Sequence, residues 1–226
     1  MKTLKNFIVK NYPFTLYLKG WWVAWRHYFG TAKMTYSQAG EDTIIAELLS
    51  DTDARASLYL DIGANHPTRL SNTYGLYRKG WRGIVVEPNT TLLAMHKRLR
   101  PRDVHLAIAC GKDPGILHFQ HAISHVLSGF AEERIKTKEF RRLQIMPVLT
   151  VDLIMQAYPD KEIALLSIDV EGFDFNVAQG AVESLKRTKV VCIEGKENDL
   201  QLMKFFEEQG FRLHINTRHN LIFTRI

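Results

Sequence analysis

The stretch Leu58–Asn65, LYLDIGAN, is an apolar run that carries a carboxylate, Asp61, near its end and passes at once into a glycine. A buried parallel strand of an α/β fold delivers its chain to a ligand in this way, because ligands of open sheets sit beyond the carboxyl ends of the strands. Gly63 lets the backbone turn close beneath such a ligand, and the amide of Asn65 can hydrogen-bond to it. Further on, GIVVEPN (Gly83–Asn89) reads as a second apolar strand ending in Glu87, a carboxylate suited to accept hydrogen bonds from a ribose. Two strands, a glycine turn and a terminal acid predict a nucleoside-binding α/β core.

Outward from this core the chain keeps alternating. Upstream, SQAGEDTIIAELLSD reads as a helix capped by Ser37, with Glu41 and Asp42 at the positive end of its dipole and Ile44, Ile45, Leu48 and Leu49 as one apolar face. Downstream, HPTRLSNTYGLYRKG supplies a turn and a short helix rich in hydroxyls and amides. VHLAIAC (Val104–Cys110) reads as a third strand and ILHFQ (Ile116–Gln120) as a short fourth, with GKDPG as the turn between them. From His121 to Arg142 the sequence is polar, charged and weakly periodic, which predicts a long loop. A long loop in a compact domain is usually functional or disordered, so it is read as a lid on the substrate side, with His121 and His125 inside it.

A strand and a short helix follow in IMPVLTVDLIMQAYPD, then a buried strand in IALLSIDVEGFD, whose carboxyl end holds Asp169 and Glu171. FNVAQGAVESLKR is predicted as one amphipathic helix, VVCIEG as a buried strand ending at Glu194, and DLQLMKFFEEQG as a helix closed by Gly210. FRLHINT and NLIFTRI close the chain as two strands around a short turn. Asp61, Glu87, Asp169 and Glu194 all fall at strand ends. A lone carboxylate is costly in a core, so repeated acids there predict a polar cleft, the alternative being that each caps the helix after it.

The blocks SQAGED (Ser37–Asp42), LDIGANHP (Leu60–Pro67), SNT (Ser71–Thr73), GWRGIVVEPN (Gly80–Asn89) and IDVEGFD (Ile168–Asp174) occur in an order that resembles the FkbM family of S-adenosylmethionine-dependent methyltransferases. The resemblance runs from about Tyr36 to about Gly195. It implies a class I methyltransferase fold: a Rossmann-like α/β sandwich with a mostly parallel seven-stranded sheet and a C-terminal antiparallel hairpin. A plain dinucleotide-binding domain lacks that hairpin. Residues 36–226 would form the methyltransferase domain, and residues 1–35 a separate aromatic and basic segment. The implied cofactor is S-adenosylmethionine. Its predicted contacts are Gln38 in the first block, Asp61, Gly63, Ala64 and Asn65 at the first turn, and Ser71 and Asn72 toward the methionine carboxylate. Glu87, Pro88 and Asn89 are predicted at the ribose, and Ala107 and Ile108 beside the adenine. Asp42 is a further candidate whose alternative role is to cap its own helix.

The chemistry expected is transfer of a methyl group to a hydroxyl of a sugar in a glycan, lipid-linked saccharide or secondary metabolite. Alignment in such a displacement supplies up to about 7 to 11 kcal/mol in well-oriented reactions, and a positioned base adds about 10²- to 10⁴-fold. Asp169 and His125 are the predicted bases, with Glu171 orienting the acceptor. Asp169 and Glu171 could instead hold a divalent cation with water completing its sphere, but two carboxylates are too few to define such a site, so a cation stays an open alternative and is not predicted. Two other readings compete. A nucleotide-dependent oxidoreductase is disfavoured because DIGANHP has one glycine where the dinucleotide fingerprint needs three. A non-catalytic nucleoside-binding module anchored by its N-terminal segment is the third.

That segment, Lys2–Gly30, joins Lys2, Lys5 and Lys10 to YPFTLYLKGWWVAWRHYFG. Lys19, Arg26 and His27 interrupt its apolar run, so it reads as neither signal peptide nor spanning helix. Trp21, Trp22 and Trp25 suit a membrane interface, and a helical lid or homodimer arm is the other reading. The 226-residue chain carries a net charge of +6, which favours anionic partners without singling out nucleic acid; no basic block with interleaved aromatics occurs, and nucleic acid is not expected. Cys110 and Cys192 lie in apolar runs and read as buried thiols, consistent with a reducing cytosol. The expected location is cytoplasmic, with peripheral contact at the inner face of the membrane.

Overall fold

The computed structural model describes residues 35–122, 129–130 and 140–226, with the backbone alone described for 118–122, 129–130 and 140–143. Thr35–Ile226 forms one compact unit. The expectations for Lys2–Gly30 and for His125 lie outside the described residues. Among the described residues no helix is long and apolar enough to cross a membrane.

Strand β1 (Ser57–Ile62) is buried along its whole length and sits in the middle of a seven-stranded sheet. On one side it pairs in parallel with β2 (Gly83–Val86), which pairs with β3 (Val104–Leu106). On the other it pairs in parallel with β8 (Glu162–Ile168), which pairs with β9 (Thr188–Glu194). The sheet ends with β10 (Phe211–Asn216) and β11 (Asn220–Arg225), an antiparallel pair in which β11 inserts beside β9. The resulting order, β10-β11-β9-β8-β1-β2-β3, is that of a class I methyltransferase sheet. It forms because its central strands are apolar on both faces. Leu58, Leu60 and Ile62 of β1 join Ile84, Val86, Leu166, Ile168, Val191 and Ile193 in one core, while Tyr59, Leu165, Val190, Cys192 and Ile222 belong to the core on the opposite face. Each such side chain contributes about 1.5 to 3 kcal/mol through burial.

Helix α1 (Glu41–Leu48) and helix α2 (Tyr74–Arg78) cover the Tyr59 face, through Ile45, Leu76 and Tyr77. The Leu60 face is covered by α4 (Val151–Met155), α5 (Asp174–Gln179), α6 (Val182–Leu185) and α7 (Leu200–Glu208). Helix α3 (Thr90–Leu99) follows β2. The single helix expected over FNVAQGAVESLKR is divided into α5 and α6 at Gly180, where a Cβ would lie 2.1 Å from the carbonyl oxygen of Gly111. The close approach of another backbone, invisible in local periodicity, breaks the helix there.

The middle of the chain departs most from expectation. VHLAIAC is not one strand: it leaves the main sheet after Leu106 and joins a second, four-stranded sheet as β4 (Ala109–Cys110). That sheet, β4-β7-β5-β6, is built on an antiparallel ribbon of β5 (Gly115–Ala122) and β7 (Phe140–Leu149), with β6 (Gly129–Phe130) at its edge. The segment read as a loop from His121 therefore begins and ends in strands, His121 pairing in register with Arg142. A ribbon held together by its backbone ladder needs no apolar alternation, which is why composition suggested a loop. Met146 and Val148 bury against Ala109, with Leu117 and Phe173 beside them, in a small core of their own.

Candidate active site

A cleft of ≈ 490 Å³ opens beyond the carboxyl ends of β1, β8 and β9, within the size range of small-molecule sites. Of the predicted site residues it brings together Gln38, Asp61, Gly63, Ala64, Asn65, Ser71, Asn72, Asp169 and Glu171. Glu194, noted as a strand-end acid, lines it as well. Glu87, Pro88, Asn89, Ala107 and Ile108 do not line it. Asp42 does not either, since its carboxylate accepts from Thr35 Oγ1, the Tyr36 N–H and Ser37 Oγ and so fastens the turn that leads into α1. The cleft adds residues not anticipated: His66, Arg69, Leu70, Ser167, His219 and Asn220 among them.

The turn after β1 and the loop after β8 are in direct contact. Gly63 has φ 77, in the left-handed region, and a Cβ there would lie 1.9 Å from the carbonyl oxygen of Asp169. Glycine is required at this position by the neighbouring loop as much as by any ligand. The N–H groups of Gly63 and Ala64 both donate to the carbonyl of Val86, at 2.9 and 3.2 Å, and the Asp169 N–H donates to Ile62 at 3.0 Å. Among the described residues, the non-glycine residues with positive φ are Asn65 (φ 48), Leu70 (φ 54) and Glu171 (φ 57), and all three line the cleft. Strain gathered in this way is characteristic of ligand-binding loops.

Glu87 lies behind the first turn. Its Oε2 accepts from the Asn65 N–H at 2.8 Å and its Oε1 from the Asn89 N–H at 2.7 Å, while Asn89 Oδ1 caps α3 by accepting from Thr91 and Leu92. Burial pushes the Glu87 carboxyl up to about 7 against those two backbone hydrogen bonds, with a further push from Asp61. In this arrangement the acid supports the turn from beneath. Ser71 similarly holds its own loop, since its Oγ accepts from the Tyr74 N–H at 3.1 Å; Asn72 reaches across the strand ends, its Nδ2 3.4 Å from Ser167 Oγ.

Because side chains alternate along a strand, Tyr59 and Asp61 point to the same side of β1, and there they meet a fully buried Arg100 from the end of α3. Arg100 Nε donates to Asp103 Oδ2 at 2.8 Å, and a second nitrogen donates to Tyr59 Oη at 2.9 Å and Thr73 Oγ1 at 3.0 Å. Tyr59 Oη donates in turn to Asp103 Oδ1 at 2.6 Å. Asp61 accepts from Thr73 Oγ1 and lies 3.6 Å from the guanidinium. Burial works against the charge of Arg100, but Tyr59, Asp61 and Asp103 outweigh it and hold its pKa above the ordinary value. Asp61 is the more distant of the two carboxylates, so burial dominates and raises its carboxyl despite Arg100 and Thr73. The floor of the cleft thus rests on a buried network that spacing in the sequence did not announce.

Asp169 follows β8 at the edge of this floor. The cleft walls, and then the charges of Glu194, Asp174, Glu171 and Asp61, push its carboxyl up to about 8. Its side chain keeps access to water in the cleft, so the charge repulsion is the part of that shift which persists when the cleft is wet. Carboxylate oxygens of Asp169, Asp174 and Glu194 lie within 4.8 Å of one another, a grouping that could hold a cation and that differs from the Asp169–Glu171 pair weighed from sequence. Both Asp174 oxygens already accept backbone hydrogen bonds, from Val170 at 2.9 Å and Gly172 at 3.0 Å. Beside Glu194, its partner Asn220 across the β9–β11 ladder donates its Nδ2 to Glu41 Oε1 at 3.1 Å and keeps a buried Oδ1 that has no partner among the described residues.

A doubly covered parallel sheet with its last strand inserted antiparallel, and an acid-lined cleft beyond the strand ends, define a class I methyltransferase domain. Residues 61–213 match the Methyltransferase FkbM domain, and the chain belongs to that family. Among solved structures it is similar to the methyltransferase FkbM from Methylobacillus flagellatus KT, at 14% identity over 87% of this chain and 46% of that one, with a TM-score of 0.47. It is also similar to a TehB-like SAM-dependent methyltransferase from Corynebacterium glutamicum, at 12% identity over 94% of this chain and 100% of that one, with a TM-score of 0.40. The chain therefore spans less than half the length of the Methylobacillus protein. No curated protein matches the chain.

Proposed function

We propose that the protein is an S-adenosylmethionine-dependent O-methyltransferase acting on a hydroxyl of a sugar, in a glycan, a lipid-linked saccharide or a secondary metabolite. The observation that carries this reading is Asp169, a carboxylate at the edge of a cleft whose floor is the glycine turn of a methyltransferase sheet, with the carboxylates of Asp174 and Glu194 close by. The residues present fit the cofactor. Glu171 and Glu194, joined by Asp169 when it is deprotonated, give the cleft a negative wall that complements a sulfonium and an ammonium group, and the unpartnered Oδ1 of Asn220 is a buried acceptor for one more donor. Gly63, Ala64 and Asn65 would hold the nucleoside side, and Gln38, Ser71 and Asn72 the methionine side.

S-adenosylmethionine would supply the methyl group from its sulfonium. Asp169 would take the proton of the acceptor hydroxyl, with Glu171 orienting the acceptor; His125 is the second candidate base. Methyl transfer to a panel of saccharide acceptors, with labelled cofactor, tests the reading: product above background supports it, and folded protein that labels none of them counts against it. Glu87→Ala is expected to weaken S-adenosylmethionine binding by about 1.5 to 3 kcal/mol, the range for one charged hydrogen bond, because the turn carrying Asn65 loses its support. Isothermal calorimetry checks this, and unchanged affinity would mean that the turn keeps its binding shape without Glu87.

A further inference from the structure

The geometry points to His96 as a positioning residue for the Gly63–Asn65 turn, a role that rests on that turn serving the cofactor as proposed above. Helix α3 buries Leu92, Leu93 and His96 along one face, so His96 stands where helical spacing would place another apolar side chain. Its Nε2 lies 3.0 Å from the carbonyl oxygen of Asn65. A carbonyl only accepts, so Nε2 carries the hydrogen and donates it, which fixes the tautomer. Nδ1 is then a buried acceptor with no partner among the described residues. Burial and the nearby Arg100 hold the imidazole pKa down to about 3, so the ring is neutral. A leucine would fill the space without stranding a nitrogen. What the histidine adds is the one N–H that meets Asn65.

The opposite side of Asn65 is held as well, since its own N–H donates to Glu87 Oε2 at 2.8 Å. The peptide groups before and after its Cα are therefore both fixed, by residues from the end of β2 and from α3. Asn65 has φ 48, a conformation that a non-glycine residue keeps when its surroundings over-determine it. The clamp presets the side chain of Asn65 in the cleft wall before any ligand arrives, and a preset site spends less of its binding energy on ordering.

The test combines hydrogen exchange in the ligand-free protein with S-adenosylmethionine titration by calorimetry. His96→Leu is expected to speed exchange of the Asn65 amide about tenfold or more, while Val85 in the neighbouring strand is unaffected. It is also expected to weaken cofactor affinity about tenfold, equivalent to ~1.4 kcal/mol or one hydrogen bond. His96→Gln, which returns a side-chain N–H, is expected to recover most of both. A purely space-filling role would leave the two variants alike and would not single out Asn65. Unchanged Asn65 exchange and affinity in folded His96→Leu, or a glutamine variant no better than the leucine one, would overturn the proposal. If the wild-type protein takes up no cofactor while Asn65 exchange still responds to His96→Leu, the cofactor reading fails and the clamp stands.

Discussion

Asp169→Asn is expected to lower turnover at least about 100-fold, the low end for losing a positioned base, a far larger change than the accompanying loss of cofactor affinity. The substitution keeps the shape of the side chain and removes both its negative charge and its proton acceptor. Asp169 is suited to the role because the cleft walls and four neighbouring carboxylates push its carboxyl up to about 8, close to the working pH of a general base. A base is active only when deprotonated, so kcat/KM for the cofactor is expected to fall as pH drops through the raised pKa of Asp169, which lies below about 8 where water in the cleft weakens the push from burial. In kcat the same limb should lie at lower pH, since a cation bound beside Asp169 favours its charged form. Both limbs should vanish in Asp169→Asn. Near-normal turnover in that variant, together with its loss in His125→Ala, would move the base to the histidine.

The largest loss of stability is expected at Arg100. Arg100→Leu removes the cation from a site where Arg100 and Asp103 are both fully buried and Asp61 nearly so, leaving two carboxylates without a counter-charge. Breaking a buried pair by deleting one partner typically costs about 3 to 5 kcal/mol. Urea denaturation followed by far-UV circular dichroism should show a loss of that size. Arg100→Lys should recover little of it, because one ammonium cannot reproduce the fork that reaches Asp103, Tyr59 and Thr73 at once. A loss below about 1 kcal/mol would mean that the network is ordinary hydrogen bonding and not a buried ion pair.

The sheet was legible because β1, β2, β8 and β9 are buried on both faces, which writes them into the sequence as continuous apolar runs ending in an acid or a glycine. Legibility failed where one segment's structure depends on another. Arg100 sits in the charged run HKRLRPRD, which carries no apolar signal of burial, yet Asp61 and Asp103 draw it inside. Glu87 was correctly placed at a strand end, but its carboxylate turns back to Asn65 and Asn89, a choice made by backbone N–H groups that composition does not reveal. His219 and Asn220 reach the cleft because β11 inserts beside β9 and carries the hairpin turn to the carboxyl end of that strand. The C-terminal antiparallel hairpin that the resemblance implies was the signal available for that turn, without the strand it would lie beside. The β5–β7 ribbon had no such signal, being held by its backbone ladder.

The most direct test of the account is a crystal structure of the protein with S-adenosylhomocysteine, read for what lies opposite the sulfur. The ligand is expected in the cleft, its nucleoside over the Gly63–Asn65 turn, and the Asp169 carboxylate within hydrogen-bond reach of an acceptor hydroxyl placed on the open side of the sulfur. A ligand bound with its sulfur turned away from Asp169, or bound outside this cleft, would contradict it.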